Sequence, residues 1–240
     1  FYEFIIKKKS KFNNYKNLIR IIIKLQNIKL KRTYNFGKYK INFQNYSIKN
    51  LHKESDLFFD WYLQHCLKSS KQKKIKKILK KELTKVYKKL YFKNTVFVHR
   101  DFHASNIMVN KNKLGLIDSQ DAIIGNPLYD VASLIDDVRI KLPSNLQERL
   151  FNFYYSKSKL KKEKYKNLKN DFEILSVQRN LKILGIFVRL FKRDGKPDYL
   201  KYLPYTWRLI ERRLKNPIFK NFNLILKKYL KIQKLKKNNL

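Results

Sequence analysis

Cysteine is almost absent from this 240-residue sequence, which contains only Cys66. A single cysteine excludes an internal disulfide framework and is typical of proteins in a reducing compartment. Long apolar runs are missing too, because the apolar runs are short and interrupted by Lys or Arg. The first residues, FYEFIIKKKSKF, lack the apolar core and the small-residue cleavage site of a signal peptide. These absences predict a cytoplasmic protein with no membrane partner.

Acidic residues are scarce, since 18 Asp and Glu stand against 57 Lys and Arg, which gives a formal net charge of +39. Such an excess attracts polyanions, so a basic nucleic-acid-binding module is one alternative function. However, the lysines are scattered along the whole chain, and the other residues typical of genomes rich in A and T are also abundant. We interpret the charge as compositional drift and expect no specific nucleic-acid partner.

Apolar residues make up 43% of the chain, enough for the core of one large domain or two small ones. Their spacing predicts mostly helices, with a short β region between residues 95 and 118. The predicted helices cover residues 16–30, 54–67, 70–91, 129–140, 145–157, 171–192, 199–214 and 217–235. The predicted strands cover 95–99, 106–110 and 114–118. This pattern indicates an α+β fold, mostly helical, with a small β-hairpin insertion.

The stretch VFVHRDFHASNIMV, residues 96–109, concentrates polar side chains in a loop between two apolar runs. Asp101 follows one predicted strand, Asn106 precedes the next, and Asp118 ends a third. If the last two strands pair as a hairpin, all three side chains converge at one end of it. Two carboxylates and an amide oxygen suit Mg²⁺, a hard ion that prefers oxygen ligands.

An H-R-D motif with an Asn five residues after the Asp is the catalytic-loop pattern of kinase-like enzymes. It predicts that Asp101 accepts the proton of the acceptor hydroxyl, while Asn106 and Asp118 hold the metal. ATP and Mg²⁺ are the implied cofactors. The tripeptide alone is common, so a purely structural role remains the alternative, and the agreement of motif and strand context favours the catalytic one.

Four further residues are expected to support this loop. His99 and His103 are expected to brace it through hydrogen bonds to the backbone, and neither is assigned as a base. Arg100, inside the same motif, is placed with them. Asp130, at the start of a predicted helix, is expected to be buried and to tie the amides of the catalytic loop together.

Three motifs carry a family resemblance: the loop above, LGLIDSQDAIIGNPLYDVASLIDDVR, and QRNLKILGIFVRLFKRDGKPDYLKYLP. They resemble the aminoglycoside-phosphotransferase-like family, and within it the anomeric N-acetylmuramate/N-acetylglucosamine kinases. IDSQDA, YDVASLIDD and the late LGIF…RDGK block distinguish that subgroup from the antibiotic kinases. The resemblance covers about residues 50 to 210.

The resemblance implies a two-lobed, protein-kinase-like fold in which residues 1–240 form the larger C-terminal lobe. It assigns Asp101 as the catalytic base and Asn106 and Asp118 as metal ligands. Residues 1–95 contain only one glycine and no phosphate-covering loop. We therefore expect the nucleotide-binding lobe to be missing from this chain, and the chain alone to be inactive.

The implied reaction is phosphate transfer from ATP to the anomeric hydroxyl of an amino sugar used in cell-wall recycling. A strongly basic chain is a poor host for polycationic aminoglycosides, whereas N-acetylmuramate carries a carboxylate that an arginine can bind. Another small-alcohol kinase, of the aminoglycoside or choline type, and a degenerate scaffold are the alternatives. The candidate substrate residues are Gln120, Asp121, Arg139 and Arg179, and Arg189 and Arg193 could equally pair with neighbouring acids on a helix surface.

Overall fold

Helices dominate the computed structural model, which describes residues 1–7, 11–67, 69–111 and 113–230. The helices in these ranges are α1 (Tyr2–Ile6), α2 (Phe12–Gln26), α3 (Ile48–Leu57), α4 (Gln64–Cys66), α5 (Ser69–Tyr87), α6 (Leu128–Ile135), α7 (Ser144–Lys157), α8 (Tyr165–Asp194), α9 (Leu203–Arg213) and α10 (Lys220–Tyr229). The strands are β1 (Thr33–Phe36), β2 (Tyr39–Asn42), β3 (Val96–Val98), β4 (Ile107–Asn110), β5 (Lys113–Leu116) and β6 (Ile123–Gly125). The predicted fold class, mostly helical with a small β-hairpin, is confirmed.

The described strands form antiparallel pairs: β1 with β2, β3 with β6, and β4 with β5. The β4–β5 hairpin is the predicted one. The β6 strand was not predicted, because it has only three residues. For residues 33–48 the sequence predicts a loop with a short extended piece, and the structure forms the antiparallel β1–β2 pair there. β6 matters because it pairs along the whole of β3 and so supports the loop that follows β3.

The chain divides into two compact units, described separately below. Unit 1 consists of residues 1–46 and 91–172 and contains β1 to β6 with helices α1, α2, α6 and α7 and the start of α8. Its core is built from apolar faces such as that of α2, whose Leu18, Ile19 and Ile22 are buried. Every residue of α6 is buried, including its one charged residue, Asp130.

Unit 2 consists of residues 47–90 and of the chain from Glu173, described as far as residue 230. A continuous helical stretch from Ile48 to Cys66 includes a π-helical turn at Phe58–Leu63. Helix α8 approaches this stretch so closely that a Cβ on Gly185 would lie 2.2 Å from the Leu57 carbonyl oxygen. Only glycine fits at that position.

Several helix boundaries differ from the predictions. The helix predicted at 54–67 begins at Ile48, because the side chain of Ser47 accepts a hydrogen bond from the Asn50 amide as an N-cap. The helix predicted at 129–140 ends at Ile135. The predicted 217–235 helix starts with a 3₁₀ turn and ends at Tyr229 as far as the chain is described, and residues 231–235 lie outside the described residues. None of the helices in the described ranges is both long and apolar enough to cross a bilayer.

Candidate active site

The loop after β3 and the β4–β5 hairpin bring together the three residues predicted to form the reactive centre. The hairpin pairing extends one step beyond its strands, since the Ile117 amide donates to the Asn106 carbonyl at 3.1 Å. Asn106 and Asp118 therefore lie at the same end of the hairpin. Asn106 Nδ2 donates to the Asp101 carbonyl at 3.1 Å and to Asp118 Oδ2 at 3.3 Å. One amide side chain thus links both aspartates.

The exposure of these side chains leaves the site open to a ligand, because Asp118 is exposed while Asp101 and Asn106 are half-buried. With its Nδ2 atom occupied, Asn106 keeps Oδ1 without a hydrogen bond among the described residues. An amide oxygen and a carboxylate are suitable ligands for Mg²⁺, which commonly takes one or two carboxylates together with waters and substrate phosphates. In the part of the chain that the structure describes, no three His, Cys, Asp or Glu side chains surround a metal position. The residues present fit a magnesium ion whose coordination is completed by a bound phosphate.

Gln120 orients Asp118. Its Nε2 atom donates to Asp118 Oδ1 at 2.6 Å, so each oxygen of that carboxylate accepts a bond from a side-chain amide. The backbone of Asp118 has φ +69°, in the left-handed region that few residues other than glycine adopt. Gln120, a predicted substrate residue, thus contacts a predicted metal ligand.

Asp130 holds the backbone at the end of β3. Its carboxylate accepts hydrogen bonds from the amide of His99 at 2.7 Å and from that of Arg100 at 3.1 Å, and only 2% of the residue is exposed. Arg100 has φ +73°, a left-handed conformation that is costly for a side chain with a Cβ. The two bonds to Asp130 compensate this cost and direct the chain into Asp101.

His99 is buried and braces the loop from the opposite side. Its Nε2 atom lies 3.1 Å from the Ile117 carbonyl, directly before Asp118, and therefore carries the proton of the neutral ring. Burial lowers the pKa of His99, which favours this neutral form. His103 is also buried, and its backbone amide and carbonyl bond to the Asp101 carbonyl and the Asn106 amide, both at 3.0 Å.

Asp137 supports the same loop and was not identified from the sequence. Its Oδ2 atom accepts from the Ala104 amide at 3.1 Å, and its Oδ1 atom accepts from the Arg139 amide at 3.0 Å. The Arg139 guanidinium lies 3.5 Å from the same Oδ1 atom, so this predicted substrate residue is paired within the protein. The sequence feature that could have identified Asp137 is the run of acids in the apolar segment YDVASLIDD, because a buried acid needs a hydrogen-bond donor.

Arg100 reaches back to Asp121, another predicted substrate residue. Its Nη1 atom donates to the Asp121 carbonyl at 3.2 Å and lies 4.0 Å from the carboxylate, which is largely exposed. The guanidinium also lies 5.9 Å from the centroid of the Tyr46 ring. Asp121 therefore supports the loop mainly through its backbone carbonyl, which holds the Arg100 side chain.

The remaining predicted arginines lie on α8 in unit 2. Arg193 makes two bonds to Asp194, at 2.7 and 3.1 Å, which is the surface pairing considered as its alternative role. Arg189 is half-buried. Arg179 is 4% exposed and is treated separately below.

The fold belongs to the kinase-like class. A solved choline/ethanolamine kinase family protein from Mesorhizobium loti matches with a TM-score of 0.59 at 14% identity, over 91% of this chain and 67% of that chain. A solved spectinomycin phosphotransferase in complex with ADP and spectinomycin matches with a TM-score of 0.52 at 13% identity, over 88% of this chain and 67% of its own. At such low identities this likeness shows the fold alone.

The chain belongs to the phosphotransferase enzyme family, whose sequence profile (APH) matches residues 16–163, more than half of the chain. It is 33% identical over 165 residues to the N-acetylmuramate/N-acetylglucosamine kinase of Pseudomonas aeruginosa, covering 67% of this chain and 49% of the relative. It is 31% identical over 171 residues to the enzyme of the same name from Neisseria meningitidis, covering 70% of this chain and 51% of the relative. The chain spans about half the length of these curated relatives. The family resemblance seen in the motifs is confirmed.

Proposed function

We propose that this chain carries the catalytic loop of an ATP-dependent kinase that phosphorylates the anomeric hydroxyl of N-acetylmuramate or N-acetylglucosamine. The observation that carries the proposal is the Asn106 side chain, which bonds to the backbone carbonyl of Asp101 and to the carboxylate of Asp118. The names of the curated relatives support the amino-sugar substrate. The single cysteine supports a reducing, cytoplasmic setting.

Asp101 is proposed to orient the acceptor hydroxyl and accept its proton. Asn106 Oδ1 and the Asp118 carboxylate are proposed to hold Mg²⁺, which supplies positive charge beside the transferred phosphate group. Little covalent chemistry is required of the protein, because positioning and electrostatic stabilisation supply most of the rate enhancement. Asp130 and Asp137 serve this function by fixing the backbone on either side of Asp101.

The exposed face of the β4–β5 hairpin supports a nucleotide beside this metal site. Alternate residues of a strand share a face, so Met108 lies on the same side as Asn106, and the pairing of residues 106 and 117 adds Ile117 to it. Met108 is 53% exposed and Ile117 is 48% exposed, which is unusual for apolar side chains next to a polar loop. An apolar surface of this kind suits the flat face of a purine ring.

The test is an assay of the full-length gene product with ATP and Mg²⁺ on N-acetylmuramate, N-acetylglucosamine, choline and an aminoglycoside. We expect phosphorylation of at least one of the two amino sugars, and a loss of about 10²–10⁴-fold in the Asp101→Asn variant because the proton acceptor is removed. Asp198→Asn, which changes an exposed aspartate of unit 2, is the matched control and should retain activity.

Three results would contradict the proposal in different ways. Activity on choline or the aminoglycoside alone would remove the substrate assignment and leave the kinase. Full activity in Asp101→Asn would remove the assigned base. Salt-sensitive binding to nucleic acid that survives Asp101→Asn, with no phosphate transfer, would favour the basic binding module.

A further inference from the structure

Arg179 is a buried cation of unit 2 without a counter-ion in the described structure. It lies in the middle of α8, only 4% of the residue is exposed, and its Nη1 atom is fully buried. Within the described residues Arg179 has no hydrogen-bond or ion-pair partner. A guanidinium cannot lose its proton to escape burial, so an unpaired one carries a large desolvation penalty. An anion beside Nη1 would offset that penalty.

The buried acids described in unit 2 are already bound to other groups. Glu54 accepts from Gln178 Nε2 at 3.0 Å and lies 3.4 Å from Lys182 Nζ. The second, Glu173, accepts from Asn216 Nδ2 at 2.7 Å, and its other carboxylate oxygen lies 3.8 Å from a guanidinium nitrogen of Arg213. Neither acid is paired with Arg179.

The direction in which Arg179 points follows from helix geometry. The face of α8 that meets α3 and the following π turn carries Gln178, which bonds to the Leu51 carbonyl, and Gly185, which touches Leu57. Successive residues of an α-helix turn by about 100°. Arg179 therefore points away from the centre of that face.

The same side of α8 carries a second unsatisfied polar atom. This side of the helix consists of positions i, i+3, i+4 and i+7, which are Ser176, Arg179, Asn180 and Ile183. Asn180 is fully buried, and although its Nδ2 atom donates to Ser176 Oγ at 3.3 Å, its Oδ1 atom has no partner among the described residues. A strong cationic donor and a neutral acceptor thus lie one residue apart in a buried part of the helix.

We propose that Arg179 binds the carboxylate or phosphate group of a small ligand. The planar guanidinium matches either oxyanion through two parallel hydrogen bonds, and Asn180 Oδ1 can accept from a hydroxyl or amide of the same molecule. N-acetylmuramate carries such a carboxylate and, on the proposed amino-sugar kinase function on which this part rests, is the first ligand to test. N-acetylglucosamine lacks that carboxylate, so the two sugars form a matched pair of probes.

The experiment measures thermal unfolding of the full-length protein with increasing N-acetylmuramate, N-acetylglucosamine or inorganic phosphate at constant ionic strength. We expect N-acetylmuramate to bind at least about tenfold more tightly than N-acetylglucosamine. Arg179→Met should abolish that difference in affinity. Arg179→Lys should retain part of it, because lysine keeps the positive charge but lacks the two parallel donors of the guanidinium. Arg193→Met removes an exposed arginine of the same helix and should behave like the unmodified protein.

The unliganded variants separate a ligand site from an internal structural role. If Arg179 is unpaired until a ligand binds, Arg179→Met should unfold at the same temperature as the unmodified protein or higher, because a buried unpaired charge is removed. Stabilisation by phosphate in place of N-acetylmuramate, lost in Arg179→Met, would support the oxyanion site and assign its source as phosphate. A lower unfolding temperature for Arg179→Met with no dependence on any of the anions would overturn the proposal, and so would equal responses of all variants.

This test requires no phosphate transfer, so it is independent of the kinase assay. Asp101→Asn should show the same Arg179-dependent anion response as the unmodified protein. If phosphate transfer fails on every substrate while that response persists, the anion site stands and the kinase proposal falls. If transfer occurs but Arg179→Met leaves the preference between the sugars unchanged, the kinase stands and the anion site falls.

Discussion

Strand β3 runs between two buried aspartates in unit 1 that hold its two ends in different ways. Before the strand, Asp171 accepts hydrogen bonds from the backbone amides of Tyr91 and Phe92, at 2.8 and 2.9 Å, and from Asn126 Nδ2 at 2.7 Å. After the strand, Asp130 accepts from two consecutive amides at the start of the proposed catalytic loop. We call these groups the Asp171 clamp and the Asp130 clamp.

The two clamps differ in what they hold. The Asp171 clamp joins the chain before β3 to Asn126, which also bonds to the Leu128 amide at 2.9 Å and so fixes the start of α6. The Asp130 clamp holds Arg100 in a left-handed conformation that the residue would not adopt by itself. The first arrangement holds backbone and side-chain amides of the fold, whereas the second stabilises a strained backbone conformation at Arg100, directly before Asp101.

The largest effect is expected from Asp171→Ala, which removes the acceptor of two part-buried amides, those of Tyr91 and Phe92, and of the buried Asn126 side-chain amide. Each such donor costs about 1–3 kcal/mol, so we expect the free energy of unfolding to fall by about 3–5 kcal/mol. Urea denaturation at neutral pH measures this fall, with Asp198→Ala, an exposed aspartate, as the control. A loss no greater than that of the control would show that the clamp is dispensable.

Asp130→Ala should lower the free energy of unfolding by less, about 2–4 kcal/mol. Two amides lose their acceptor, but the strain at Arg100 is released at the same time. The distinctive effect is local: hydrogen exchange of the His99 and Arg100 amides should become much faster, while the Tyr91 and Phe92 amides remain protected. Hydrogen exchange measured by NMR on both variants tests this. Uniform loss of protection along the strand would mean that the clamps act as one unit.

Arg100→Gly tests the strain when it is compared with Arg100→Ala, because both variants lose the side-chain contacts of Arg100 with Asp121 and Tyr46. Glycine adopts a positive φ without the steric cost, which is about 1 kcal/mol for other residues. The resulting gain in the free energy of unfolding should be seen in the Asp171→Ala background. It should largely vanish in the Asp130→Ala background, where the loop can already relax. The double-mutant cycles should therefore give a coupling of about 1 kcal/mol for Arg100 with Asp130 and close to none with Asp171. Equal coupling to both would remove the distinction drawn between the clamps.

The smallest expected signal is a pH dependence that arises from Asp171. Burial raises the pKa of its carboxyl group above the ordinary value near 3.8, more than its hydrogen bonds lower it. The folded state then binds a proton more readily than the unfolded chain, so the stability contributed by this group decreases as pH rises from about 3.8 through the raised pKa.

Urea denaturation of the unmodified protein and Asp171→Asn across that range measures this dependence. The stability advantage of the unmodified protein over the variant should shrink as pH rises. An advantage that instead grows with pH would show that the three hydrogen bonds outweigh burial.

Local patterns were sufficient to predict most helices and to select the residues of the candidate catalytic loop. The H-R-D spacing located Asp101 and Asn106, and the hairpin that brings Asp118 beside them follows from two apolar runs around a turn. Predictions that needed a partner distant in the sequence were weaker. Strand β6, whose partner is the distant strand β3, was too short to show any periodicity.

The sequence by itself determined the helical class and the family, because these depend on residue types at short, regular spacings. Only the tertiary structure decided which carboxylate holds which amide. Asp130 lies 31 positions from His99, and Asp171 lies 80 positions from Tyr91. Buried backbone donors must find an acceptor somewhere, but no local pattern states where, since that partner is chosen when distant segments pack together.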